Sequence, residues 1–150
     1  MRKYLFLIFL LLLIPACVSV SLSPADFSWP AEIVLKADAQ GNVFDKRYSM
    51  TFNVKPVFVE EFGDSVVVEG KEIRLIRNKS GYYFLTSEKF DNVFLFLMSD
   101  GALNSAGKIL ISEDGISQPA FNQRDSYIEL LTGKQAIQLT ESGIREMTNE

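Results

Sequence analysis

Beyond residue 30 the chain alternates apolar and polar side chains with period two, the pattern of strands that are dry on one face. The clearest stretch is Tyr48-Ser-Met50-Thr-Phe52-Asn-Val54, four apolar side chains interleaved with three polar ones. Ile33, Leu35 and Ala37 alternate more loosely with Glu32 and Lys36, and Gln40-Gly41-Asn42 supplies turn chemistry between the two runs. Pro56 cannot donate to a ladder, so Val57 to Val59 is expected at a sheet edge or bulge. Ser65–Glu69 and Glu72–Arg77 flank Gly70-Lys71, a two-residue connection that suits a type II′ hairpin.

Asn78-Lys-Ser-Gly81 turns the chain into Tyr82-Tyr-Phe-Leu-Thr86, and Asp91-Asn92 leads into Val93-Phe-Leu-Phe-Leu-Met98. The last two runs are apolar on both faces. A strand of that kind is covered on both sides or lines a greasy cavity. Ser99-Asp-Gly101 stops it, Lys108–Ser112 reads as a short strand, and Glu113-Asp-Gly115 turns again. Residues 115–125 show little period and read as a long loop. Tyr127–Leu131 and Lys134–Leu139, joined around Thr132-Gly133, form a last hairpin.

No stretch of ten or more residues carries a convincing amphipathic helical period. About eight to ten strands at short, regular spacing predict an all-β fold, a single antiparallel meander closing as an open barrel or a sandwich. The β-rich domain is placed at residues 31–141, with a C-terminal tail at 142–150.

The amino terminus follows another pattern. Ten consecutive apolar residues, Leu5 to Ile14, stand between Arg2-Lys3 and Pro15-Ala16-Cys17. A helix of that length is roughly 15 Å long, about half the hydrocarbon thickness, so the run reads as an export signal (residues 1–16) and not as a permanent span. Residues 17–30, rich in serine and proline, read as a tether that reaches up to about 40 Å when extended. Phe27 and Trp29 at its end are the first side chains with something to bury.

Ile14-Pro15-Ala16-Cys17 resembles the lipobox of bacterial lipoproteins, with an aliphatic residue three places before the cysteine and a small one directly before it. The resemblance implies cleavage between Ala16 and Cys17 and lipidation of Cys17, so that acyl chains hold the protein at a membrane. It also favours the outer membrane if the source has two, because Val18 stands where an Asp would favour inner-membrane retention. The resemblance covers the first 17 residues and says nothing of the domain that follows.

Loss of the signal removes Arg2 and Lys3 and takes the formal net charge from −4 to −6. That balance argues against nucleic acid as a partner, since phosphate backbones are met by basic patches. The chain has no histidine, and its one cysteine is assigned to lipid. Ser-His-Asp and Cys-His nucleophiles are thereby excluded, as are zinc or copper sites built on imidazole or thiolate. No metal, cofactor or catalytic residue is expected. Ser105-Ala-Gly-Lys108 has the Ser-x-x-Lys spelling of penicillin-binding enzymes, but Gly107 and its β-rich surroundings argue against the helical turn that chemistry needs. The carboxylates at Glu60-Glu61-x-x-Asp64 and Glu113-Asp114 lack calcium-loop spacing and read as exposed turn acids.

Aromatic residues carry the remaining functional signal. Trp29, Phe52, Tyr82, Phe84, Phe94 and Phe96 are the candidates for an apolar binding surface, weighed against ordinary core packing. The expected role is non-enzymatic binding or scaffolding in the envelope through contact with another envelope protein. The alternatives are a lipid- or hydrophobe-binding half-barrel with an apolar cavity, and a small hydrolase working with carboxylates.

Overall fold

A computed structural model of the chain describes residues 31–133 and 135–145. The signal, Ala16, Cys17, the tether and Trp29 therefore lie outside the described residues, as does the end of the tail. What is described is an all-β sandwich with one short helix and no closed barrel.

Among the described residues eleven strands form three sheets. The central sheet has the order β1 (Ile33–Lys36), β4 (Glu72–Arg77), β5 (Tyr82–Ser87), β6 (Asn92–Ser99), β7 (Ala102–Leu110). The second sheet runs β11 (Gly143–Ile144), β10 (Ala136–Thr140), β9 (Ile128–Leu131), β8 (Ala120–Gln123). A two-stranded hairpin joins β2 (Asn42–Asp45) to β3 (Met50–Asn53). All pairings are antiparallel. The helix α1 (Lys55–Phe62) follows β3 directly.

The central sheet is dry on both faces because it lies between two covers. On one face Phe84, Val93, Leu95 and Ile109 meet Phe121, Ile128, Leu130 and Leu139 of the second sheet. On the other, Leu35, Ile73, Leu75, Tyr83, Leu85 and Phe94 meet Val43 of the hairpin and Val54, Val57 and Phe58 at α1. Strands β5 and β6 send side chains into both clusters, which is why their sequences have no polar face. Phe84, Phe90 and Val93 are fully buried.

Several elements differ from the sequence expectation. Val57–Val59 belongs to α1 and not to an edge strand: Pro56 stands in the first turn, where a missing N–H is no loss. Phe58 and Phe62 then project from one helix face onto Phe90, with ring centroids 4.9 and 5.6 Å away. Ser65–Glu69 forms no strand, and Gly70-Lys71 is not a hairpin turn. Gly63, with φ 84°, ends α1, and the chain crosses to the end of β1, where Gly70 N–H donates to Ala37 O and Ala37 N–H to Lys71 O. Residues 115–125 contain β8, held by pairing with β9 from Ala120↔Leu131 to Gln123↔Ile128 and by burial of Phe121. The strand expected at Lys108–Ser112 begins earlier, at Ala102, and Ile111 and Ser112 turn away to donate to Asp91 O. Tyr48 lies in the turn before β3, and β11 falls within the stretch read as the tail.

Candidate functional site

The two faces of the central sheet separate the aromatic candidates. Phe84 is fully buried in the cluster beneath the second sheet, and Tyr82 packs against the same cluster. Phe94 is buried on the opposite face, where Phe52 and Phe96 are only partly buried. The six therefore do not share one surface. Phe52 and Phe96 are the pair brought together at a concavity, while Phe84 and Phe94 are core.

That concavity is an open cleft of about 270 Å³ between β3 and the β6–β7 turn. Met50 and Phe52 of β3 form one wall, Phe96 and Leu85 the floor, and Ala102 and Leu103 the far wall. The cleft exists because β3 covers only part of the central sheet: Met50 and Phe52 point inward, while Thr51 and Asn53 alternate outward. No lining residue is titratable. Asn53, its most polar neighbour, has its groups committed. Its Nδ2 donates to Gln40 O and to Asn42 Oδ1, both at 2.9 Å, and its Oδ1 accepts Lys55 N–H at 3.0 Å. The cleft is thus uncharged, with the apolar side chains of its walls interspersed with polar surface that includes Thr51 and Asn53.

Glu60 and Glu61 stand on α1 and not in a turn, and they serve the fold. Glu61 accepts Asp91 N–H and Asn92 Nδ2, both at 2.7 Å, fastening α1 to the turn before β6. Glu60 pairs with Lys108 at 2.8 Å, and that contact raises the lysine's pKa. Ser105 and Lys108 stand on strand β7 with a bulge between them, where Leu95 faces Gly107 and Phe96 faces Ser105. One turn of helix does not connect them, so the serine–lysine geometry is missing at this site. Glu113 and Asp114 occupy the turn beyond β7. Among the described residues no group of three or more histidine, cysteine, aspartate or glutamate side chains is placed to hold a metal.

A second concavity, of about 340 Å³, lies at the end of the sandwich where the turns after β4, β8 and β10 meet. It is polar, and the Lys79–Asp125 ion pair (2.7 Å) spans two of those turns. The sequence reading found Phe52 and Phe96 because both are aromatic on strands. It missed Met50 and Leu103, whose part in the cleft depends on how far β3 extends over β6 and β7. Among the described residues no helix is long and apolar enough to cross a membrane. Compared with known proteins, the chain matches no family model, no curated protein and no solved structure.

Proposed function

We propose that the chain is a bacterial envelope lipoprotein, anchored through acyl chains on Cys17, whose sandwich is a non-enzymatic binding module for another envelope protein. The outer membrane is the favoured site if the source has two. The observation that carries the binding role is the Phe52–Phe96 cleft: uncharged and open, with Met50, Phe52, Phe96 and Leu103 as apolar contacts among polar surface. Small-molecule pockets start at about 300 Å³ and bury most of their ligand. A cleft below that size suits one large apolar side chain from a protein surface better than a lipid tail. Apolar anchors seated in such hollows supply much of the energy of protein contacts.

The reading is tested by placing a photoreactive side chain at Met98, which is 45% exposed on β6 beside the cleft. Irradiation of living cells should give one dominant protein adduct, lost on Phe52→Lys. Adducts with lipid alone would favour the hydrophobe-binding alternative, and an unselective smear would end the binding reading.

A further inference from the structure

Strand β7 is an edge of the central sheet, nine residues long, and eight of them are exposed or only partly buried. Its opposite number at the other edge, β1, has four residues and is continued by Ala37 bonding to Gly70 and Lys71. The second sheet's β8 is also guarded, because the Glu32 carboxylate accepts Phe121 N–H at 2.8 Å. Edges are usually blunted by proline, by several charges, by a bulge or by a cover, and of these β7 carries one bulge, at Ala106. Along Ala102-Leu-Asn-Ser-Ala-Gly-Lys-Ile-Leu110 there is no proline, and the single charge, Lys108, is paired with Glu60. Leu110 is 54% exposed.

We infer that β7 pairs antiparallel with β7 of a second copy, about a two-fold axis at the bulge, joining two central sheets into one of ten strands. The register follows from the faces. The bulge at Ala106 changes the alternation, so Leu103 and Ser105 share the α1 face with Lys108 and Leu110. Antiparallel partners lie on the same face. Face-matched pairing about the bulge therefore sets Leu103 opposite Leu110 of the other copy and Ser105 opposite its Lys108. The bulge sits on the axis, where it interrupts neither of the two short regular ladders flanking it. Like charges do not oppose each other, and the contact is isologous, the usual geometry of a closed dimer. Leu110 of the second copy then extends the outer wall of the cleft at Leu103, so the cleft is completed only in the pair.

Sedimentation of the detergent-solubilised full chain tests this. Ser105 is exposed and its side chain makes no contact that the fold depends on, so its variants leave the melting temperature unchanged. Ser105→Lys brings two ammonium groups face to face on each side of the axis and should weaken the dimer roughly tenfold. Ser105→Glu should keep or tighten it, and Leu110→Lys should weaken it. A monomeric wild type overturns the inference, as does equal behaviour of the two Ser105 variants. The photo-adduct at Met98 keeps the two readings apart: an adduct to a second copy of the chain reports this interface, and an adduct to a different protein reports the envelope partner.

Discussion

Arg74 donates to Oε2 of Glu32 at 2.8 Å, and the other oxygen of the same carboxylate accepts Phe121 N–H at the same distance. One side chain at the start of β1 thus ties β4 of the central sheet to β8 of the second. Arg74 and Glu32 are 29% and 17% exposed, so the pair is partly shielded and worth more than a surface ion pair. Glu32→Ala leaves an arginine and a backbone donor without their partner. The expected loss is about 1–3 kcal/mol, read as a lower midpoint of urea unfolding at unchanged slope. Glu32→Gln should recover part of it.

Core and cleft separate under mutation. Phe84 is fully buried between the two sheets, and its truncation to alanine should destabilise by about 3–5 kcal/mol. Phe96 keeps one side toward the cleft and is partly solvated already. Phe96→Ala should therefore cost clearly less stability while removing the photo-adduct at Met98. Equal losses of stability at the two positions would show that the cleft is as much core as the sheet interface.

How much of this was legible follows from the same residues. Period two correctly marked Met50, Phe52 and Val54 as one face, and Asn78-Lys-Ser-Gly81 and Ser99-Asp-Gly101 as turns. The two-faced runs of β5 and β6 correctly announced cover on both sides. The division of the aromatics was not legible, because it depends on register. Phe84 pairs with Leu95 and Leu85 with Phe94, so even-numbered residues of β5 and β6 face opposite ways. Nothing within either strand fixes that offset. The helix was hidden by reading Pro56 as a strand breaker. The stripe Val54, Val57, Phe58 and Phe62 has helical spacing, and Pro56 sits where a helix accepts it.

Gly41 tests a close approach between the hairpin and the helix. Its φ is +86°, and a Cβ there would stand 2.7 Å from Lys55 Cβ and 3.1 Å from Lys55 N. The neighbour is the rigid first residue of α1, so the clash is not relieved by swinging a side chain tip. Gly101, in the β6–β7 turn, has φ +76° and nothing within 4 Å of its added carbon. Gly101→Ala should cost about 1–2 kcal/mol for the left-handed backbone alone. Gly41→Ala should cost more, and the difference measures the steric part. Thermal melts of the two variants under one set of conditions decide it.

Acid should weaken the second sheet. Arg124 Nη2 donates to Glu129 Oε2 at 2.7 Å and Asn122 Nδ2 to the same oxygen at 3.0 Å. These bonds, the arginine's foremost, hold the Glu129 carboxyl below the ordinary glutamate value of 4.5. A carboxyl depressed in the folded state adds stability above its unfolded pKa, and that stability is lost as pH falls through the folded value. Asp125, lowered by its hydrogen bond from Lys79, acts in the same direction. Melting temperature should therefore be flat above the ordinary carboxylate range and decline below it. Glu129→Gln should lower the plateau and reduce the acid slope, and an unchanged slope would remove this contact from the account.

The anchor carries the proposed address, and it has the most direct test. One acyl chain holds a protein at a bilayer only marginally, whereas two or three, at about 0.8 kcal/mol per buried methylene, hold it for its working life. The native chain should float with membranes, and its intact mass should exceed that of the polypeptide beginning at Cys17 by a diacylglycerol group, with or without a further acyl group on the new amino terminus. Cys17→Ala removes the only thiol in the chain. It should abolish the added mass and block cleavage at Ala16, so that the variant keeps its leader. If the mature native chain has no added mass and still floats, the membrane attachment lies in the domain and the role of Cys17 is lost.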